Sequence, residues 1–203
     1  MRRREWSDLA LVACVAAFTN LIYCALSNSD FFFPDSITYI APAQNILRGI
    51  GFFAEPDAVE TMRTPGYPLL LAALDTKTLP VIVLQHLLNI ALCAGVYLVA
   101  RRRVSRVAGI IAGLMLAIDI PTIHLANKIL TETLFTAVLF AAFVLALEGR
   151  HLLAAGALTG ALVLIRPVAI AYFAVLAAYF LFRKVAWKEI AIFVAVSLVL
   201  PIA

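Results

Sequence analysis

The chain has 203 residues, of which 64% are apolar and only 14% charged, and its mean hydropathy is strongly positive. A water-soluble domain of this length needs far more charged surface, so composition excludes an ordinary soluble globule and points to an integral membrane protein. The net charge of +4 is not a nucleic-acid signature: the basic residues cluster at 2–4, 101–106, 148–151 and 183–188, each beside an apolar run, as at the cytoplasmic ends of spans.

In chain order, apolar runs at 8–27, 79–100, 107–120, 129–147, 151–165, 167–182 and 189–203 predict helices. We read them as about seven membrane spans, the third, fifth and last short against the roughly 20 residues a span usually needs. The first follows "MRRREW" and continues to about Leu26 with no small-x-small cleavage pattern, so it is expected to be an uncleaved signal anchor. Placing Arg2–Arg4 inside then puts all four basic clusters on the cytoplasmic side, and residues 28–78 outside. The chain stops at "SLVLPIA", within an unfinished apolar run, so 1–203 is expected to be the N-terminal part of a longer protein. Cys14, Cys24 and Cys93 lie inside apolar runs without metal-ligand spacing and read as small buried hydrophobes.

The outer segment 28–78 is the long polar insertion. In "PDSITYIAPAQNILRG", Asp35 or Ser36 can cap a helix, Gly49 can stop it, and Ile37, Ile40 and Leu47 recur at helical spacing. Pro42 predicts a kink or a later start. The mixture suits an amphipathic helix lying along the membrane surface. "PGYPLLLAAL" (65–74) is too short to span and reads as a re-entrant or surface helix.

Five positions are candidates for chemistry. Asp35 serves as a helix cap or as a base accepting a proton from an acceptor hydroxyl, and the two roles are compatible. Glu132, in "NKILTETLF", opens an apolar run where it suits the helix dipole or a substrate. Arg166, in "VLIRPVAI", requires a carboxylate or an anionic headgroup. Arg63 and Lys128 also fall on the outer side, where they can meet phosphate, Lys128 equally by snorkelling to ordinary lipid. Gln85, His86 and Asn89 share one helix and read as a polar interhelical contact. Asp119 reads as a residue that ends a span. No phosphate-binding glycine loop, dinucleotide fingerprint, HExxH or DxD is present.

The order "PDSITYIAPAQNILRGIGFF", "RTPGYPLLLAAL", "VLQHLLNIALCAGVYLVARR", "ILTETLF" and "LIRP" resembles the start of the GT-C fold glycosyltransferases that use polyprenyl-phosphate sugars, a superfamily including protein mannosyltransferases and aminoarabinose transferases. The resemblance implies an all-α polytopic transmembrane helix bundle and a hexosyl- or pentosyltransferase. Its partners would be a lipid-linked sugar donor, a glycan, lipid or protein acceptor and membrane lipids, with no nucleic acid. It implies Asp35 and Glu132 as catalytic residues and Tyr39, Arg63, Tyr67, Lys128 and Arg166 as substrate-binding ones. Asp35 is followed by Ser36 where the family often has a second acid, so no cofactor is implied and a divalent metal stays open. The expected location is a bacterial inner membrane with the site facing the periplasm. A transporter or lipid-translocating protein, and an inactive fragment or subunit of a transferase, remain the alternative readings.

Overall fold

The computed structural model describes residues 2–55, 58–60, 62–149 and 151–202, and only the backbone at 2–3, 55, 58–59 and 200–202. Among the described residues there are ten helices and one small hairpin. The helices are α1 (Arg2–Leu26), α2 (Ser36–Leu47), α3 (Gly66–Ala73), α4 (Thr78–Arg103), α5 (Arg106–Ala117), α6 (Ile120–Ala126), α7 (Glu132–Glu148), α8 (Leu152–Ile165), α9 (Ala169–Phe182) and α10 (Trp187–Ile202). The hairpin pairs β1 (Phe53–Glu55) antiparallel with β2 (Ala58–Val59), a feature absent from the all-α expectation.

Each of the seven apolar runs is helical in the structure. By length and composition, α1 and α4 can cross a membrane, and α5 with α6 makes a third crossing if that bent pair is one span. These helices fit a membrane protein. The 56° bend between α5 and α6 has a local cause. Asp119 stops one helix and caps the next: its Oδ2 accepts the Thr122 amide at 3.0 Å and also the Thr122 hydroxyl. Pro121 then falls in the first turn of α6, where its missing N–H costs nothing. Asp119, expected to end a span, instead lies between two helices that can form one bent span, as the cap of the second.

The chain divides into two compact units, each built from separated stretches: 1–36 with 77–133, and 37–76 with 134–203. In the first unit, Val12 and Ala16 of α1 pack with Cys93 and Tyr97 of α4 and Ala117 at the end of α5. The approach of α5 to α4 and to α1 depends on glycine. A Cβ on Gly109 would stand 2.8 Å from the Tyr97 carbonyl oxygen, and one on Gly113 would stand 2.9 Å from Val12 Cγ1. Small residues allow this closeness between apolar helices, where dispersion replaces the hydrophobic drive.

At one end of this unit Asp8, 6% exposed, accepts from Arg106 Nε at 2.7 Å and Nη2 at 2.8 Å, and from Arg101 at 3.3 Å. Arg101 also lies 3.7 Å from Glu5. Two arginines of the 101–106 cluster therefore pair with carboxylates of α1. Cys14 is exposed on α1, contrary to the buried expectation, whereas Cys93 is buried. An apolar face turned to lipid accepts a thiol as readily as a core does.

In the second unit, Ala146, Leu152, Ala155, Leu176, Phe180, Ile190 and Phe193 form one core across α7 to α10, and Ala142, Leu162 and Ala169 form another. Helix α2 accommodates Pro42 in its interior and ends before Gly49, whose φ of 75° gives the left-handed stop. Its outward side carries Ile37 and Leu47, while Ser36, Tyr39, Pro42, Ala43 and Asn45 are buried. The packed side therefore mixes polar residues (Ser36, Asn45) with Tyr39, Pro42 and Ala43, while Gln44 is exposed with Ile37 and Leu47.

Candidate functional site

Asp35, Lys128 and Glu132 belong to the first unit, and Tyr39, Arg63, Tyr67 and Arg166 to the second.

In the first unit Pro34 and Asp35 form a turn closed by the Ser36 amide on Phe33 O and by the Phe33 amide on Ser36 Oγ, both at 2.8 Å. Asp35 is exposed there, one residue before α2. Ser36 donates its hydroxyl to Ile129 O at 2.9 Å. Glu132 is half-buried as the first residue of α7, and Thr131 donates to its Oε2 at 3.4 Å.

Lys128, expected on the substrate side, is only 4% exposed. Its Nζ lies 2.6 Å from Asp30 Oδ2 and donates to Phe32 O at 3.3 Å. Of the three polar residues of α4, Gln85 and His86 take the interhelical role expected of them. Gln85 donates to Ala126 O and Lys128 O, while His86 lies between Asn20 Oδ1 at 2.7 Å and Asn127 Oδ1 at 3.1 Å. Asn89 is buried on the same helix, its Nδ2 without a hydrogen-bond partner.

The second unit holds a cavity of about 320 Å³ bordered by Tyr39, Arg63, Thr64, Ile165, Arg166 and Pro167, among others. Its construction starts with Glu60, whose Oε1 accepts the amides of Met62 at 2.6 Å and Arg63 at 2.9 Å and so folds the strand exit into a tight loop. Arg63 then lies with its guanidinium carbon 4.7 Å from the centre of the Tyr39 ring, and its Nε donates to Thr38 at 2.9 Å. Tyr39 meets the fully buried Tyr67 edge to face at 5.4 Å.

The opposite border is the end of α8, where the chain becomes extended at Arg166 ahead of Pro167. Arg166 has its guanidinium carbon 5.8 Å from the Phe135 ring centre. Two contacts tie the borders together: Thr64 donates to Ile165 O at 2.9 Å, and Gly66 passes so close to Leu164 O that an added Cβ would stand 2.7 Å from it.

Two guanidiniums bordering one cavity, each over an aromatic face, are suited to an oxyanion such as phosphate. All four substrate-binding residues expected in this unit therefore fall in or directly against one cavity. Glu60 and Thr64 were not anticipated. The spacing in "ETMRT", an acid two and three residues before amides it can accept, is the one local signal for Glu60. Among the described residues no group of three or more His, Cys, Asp or Glu is placed to hold a metal ion. No protein-family model, curated protein or solved structure matches this chain.

Proposed function

We propose that the protein is a membrane glycosyltransferase that moves a sugar from a polyprenyl-phosphate donor to an acceptor hydroxyl on the non-cytoplasmic face, with inversion. The observation that carries this reading is the cavity bordered by Arg63 and Arg166, which offers two cations to a phosphate beside Tyr39 and the apolar Ile165 and Val168. A hydrocarbon-linked phosphate needs that combination. The reading also keeps the wider bundle of about seven spans and the surface position of α2.

Asp35 takes the proton of the acceptor hydroxyl as its oxygen attacks the anomeric carbon, and the bond from that carbon to the phosphate oxygen breaks with its electron pair remaining on the phosphate. Arg63 and Arg166 stabilise the charge that develops on the leaving group, so no general acid is required. Glu132 orients the acceptor or supports Asp35.

The test is transfer by the native-length protein, in lipid nanodiscs, from a panel of polyprenyl-phosphate sugars. Transfer abolished by Asp35→Asn, together with weaker polyprenyl-phosphate binding after Arg166→Ala, is the expected result. The bend between α5 and α6 favours a second reading, a lipid translocator with a discontinuous span. Movement of lipid-linked sugar across vesicles, with no transfer in the same preparation, would establish that one instead.

A further inference from the structure

The segment before Asp35 and the segment before Glu132 are joined bond by bond within the first unit. Ile129 N donates to Phe31 O at 2.9 Å, Ser36 Oγ donates to Ile129 O at 2.9 Å, and Asn127 Nδ2 reaches Asp30 O at 3.4 Å. Lys128 closes the set with its 2.6 Å ion pair to Asp30 and its bond to Phe32 O. The 127–131 stretch is fixed in turn to α4, through Gln85 on Lys128 O at 2.6 Å and His86 on Asn127. Asp35 is one residue before Ser36, and Glu132 is three residues after Ile129, so the same bonds that join the two segments also set the spacing of the two carboxylates.

Burial makes Lys128 the exception that needs a reason. An ammonium that is 4% exposed is costly unless paired, and a neutral apolar side chain of similar length would fill the space with less penalty. Its partner Asp30 is 70% exposed in its side chain, so the pair is not a sealed core contact. The lysine instead crosses from one segment to the other and holds a carboxylate and a carbonyl of residues 30–32 at once.

We propose that Lys128 and Asp30 are positioning residues, a latch that holds Asp35 and Glu132 at a fixed separation for the transfer reaction; this rests on the reading given under Proposed function. Phosphate binding is then no part of the role of Lys128. Its charge acts through the backbone of 30–36, and its loss misplaces Asp35 without touching the donor.

The variant of choice is Lys128→Met, which removes the buried charge and leaves Asp30 in water. Asp30→Asn is its harsher companion, since it strands the buried ammonium. Both are compared with the native-length protein in nanodiscs by hydrogen exchange at the Ile129 and Ser36 amides and by steady-state transfer, with rates normalised to folded protein. The expected result is faster exchange at both amides in Lys128→Met and a kcat lower by roughly 10- to 100-fold, the scale of loss from a small misplacement of reacting groups, at unchanged KM for the donor. A raised donor KM with unchanged kcat would overturn the latch in favour of direct phosphate binding. Unchanged exchange, or faster exchange with unchanged kcat in a preparation whose native form is active, would overturn it as well. Absence of transfer by the native protein itself is a different failure, since it removes the glycosyltransferase reading and the catalytic role of the latch with it.

Discussion

Arg63 lies with its guanidinium carbon 4.7 Å above the centre of the Tyr39 ring while its Nε donates to Thr38. A planar fork stacked on an aromatic face is something lysine cannot reproduce, because an ammonium is a compact, strongly hydrated point charge. Arg63→Lys is therefore expected to weaken polyprenyl-phosphate binding by about tenfold, the size of a cation–π interaction in a partly desolvated place. Tyr39→Phe should bind nearly as the native protein does, and Tyr39→Leu should resemble Arg63→Lys. Titration of the purified variants with the lipid phosphate, by quenching of intrinsic fluorescence, measures the series.

Asp35 is exposed in a turn whose closing bonds come from Phe33 and Ser36. Asp35→Asn preserves the shape of that turn and belongs with surface substitutions, which usually change stability by no more than about 0.5 kcal/mol. Transfer should nevertheless fall by roughly 10²- to 10⁴-fold, the range for a general base. Rate and melting temperature taken on the same preparation separate the two effects. A fully active Asp35→Asn protein would remove Asp35 from the chemistry.

Asp8 receives both nitrogens of the Arg106 fork and one of Arg101. Asp8→Asn should lower the thermal unfolding temperature in detergent and leave Arg101 and Arg106 repelling one another. Arg106→Lys, which keeps the charge and loses the two-point geometry, should show a smaller drop. Neither change should alter donor affinity, because both residues lie in the first unit and the arginine cavity is built from the second.

Gly66 passes close to Leu164 O, with 2.7 Å between that oxygen and the place a Cβ would take. Gly66→Ala must push the 64–67 loop off the end of α8, and overpacking of this kind costs about 1–3 kcal/mol. Donor binding should weaken together with stability, since Thr64 and Arg63 move with the loop. Melting curves and the lipid-phosphate titration report the two losses, and intact binding in a destabilised Gly66→Ala protein would show that the loop does not shape the cavity.

The positions of the helices were readable because an apolar run long enough to matter in lipid is a local property of the chain. All seven runs became helices, whereas the cap that Asp119 places on α6 was not read from the sequence. Periodicity was less informative about direction. Ile37 and Leu47 mark one side of α2, but in a membrane setting that side faces outward, and Tyr39 and Asn45 face in. The contacts that escaped reading join residues far apart: Asp8 to Arg106, Lys128 to Asp30, and Thr64 to Ile165. No short window contains both members of such a pair, so Lys128 looked like a surface cation and the 101–106 cluster like a simple topological marker. The Phe53–Val59 hairpin was hidden for another reason, its strands being only three and two residues long.

The interleaved assembly of the two units has a consequence for how the protein is made. The hydroxyl of Thr64 waits for a carbonyl 101 residues downstream, and at roughly 5–20 residues per second on the ribosome that wait lasts about 5–20 seconds. For most of this interval the 37–76 stretch has been synthesised without α8, whose far end it needs. Maturation of the cavity is thus a late event in biogenesis, and a ribosome stalled shortly after residue 133 would hold every piece of the first unit and only the waiting half of the second.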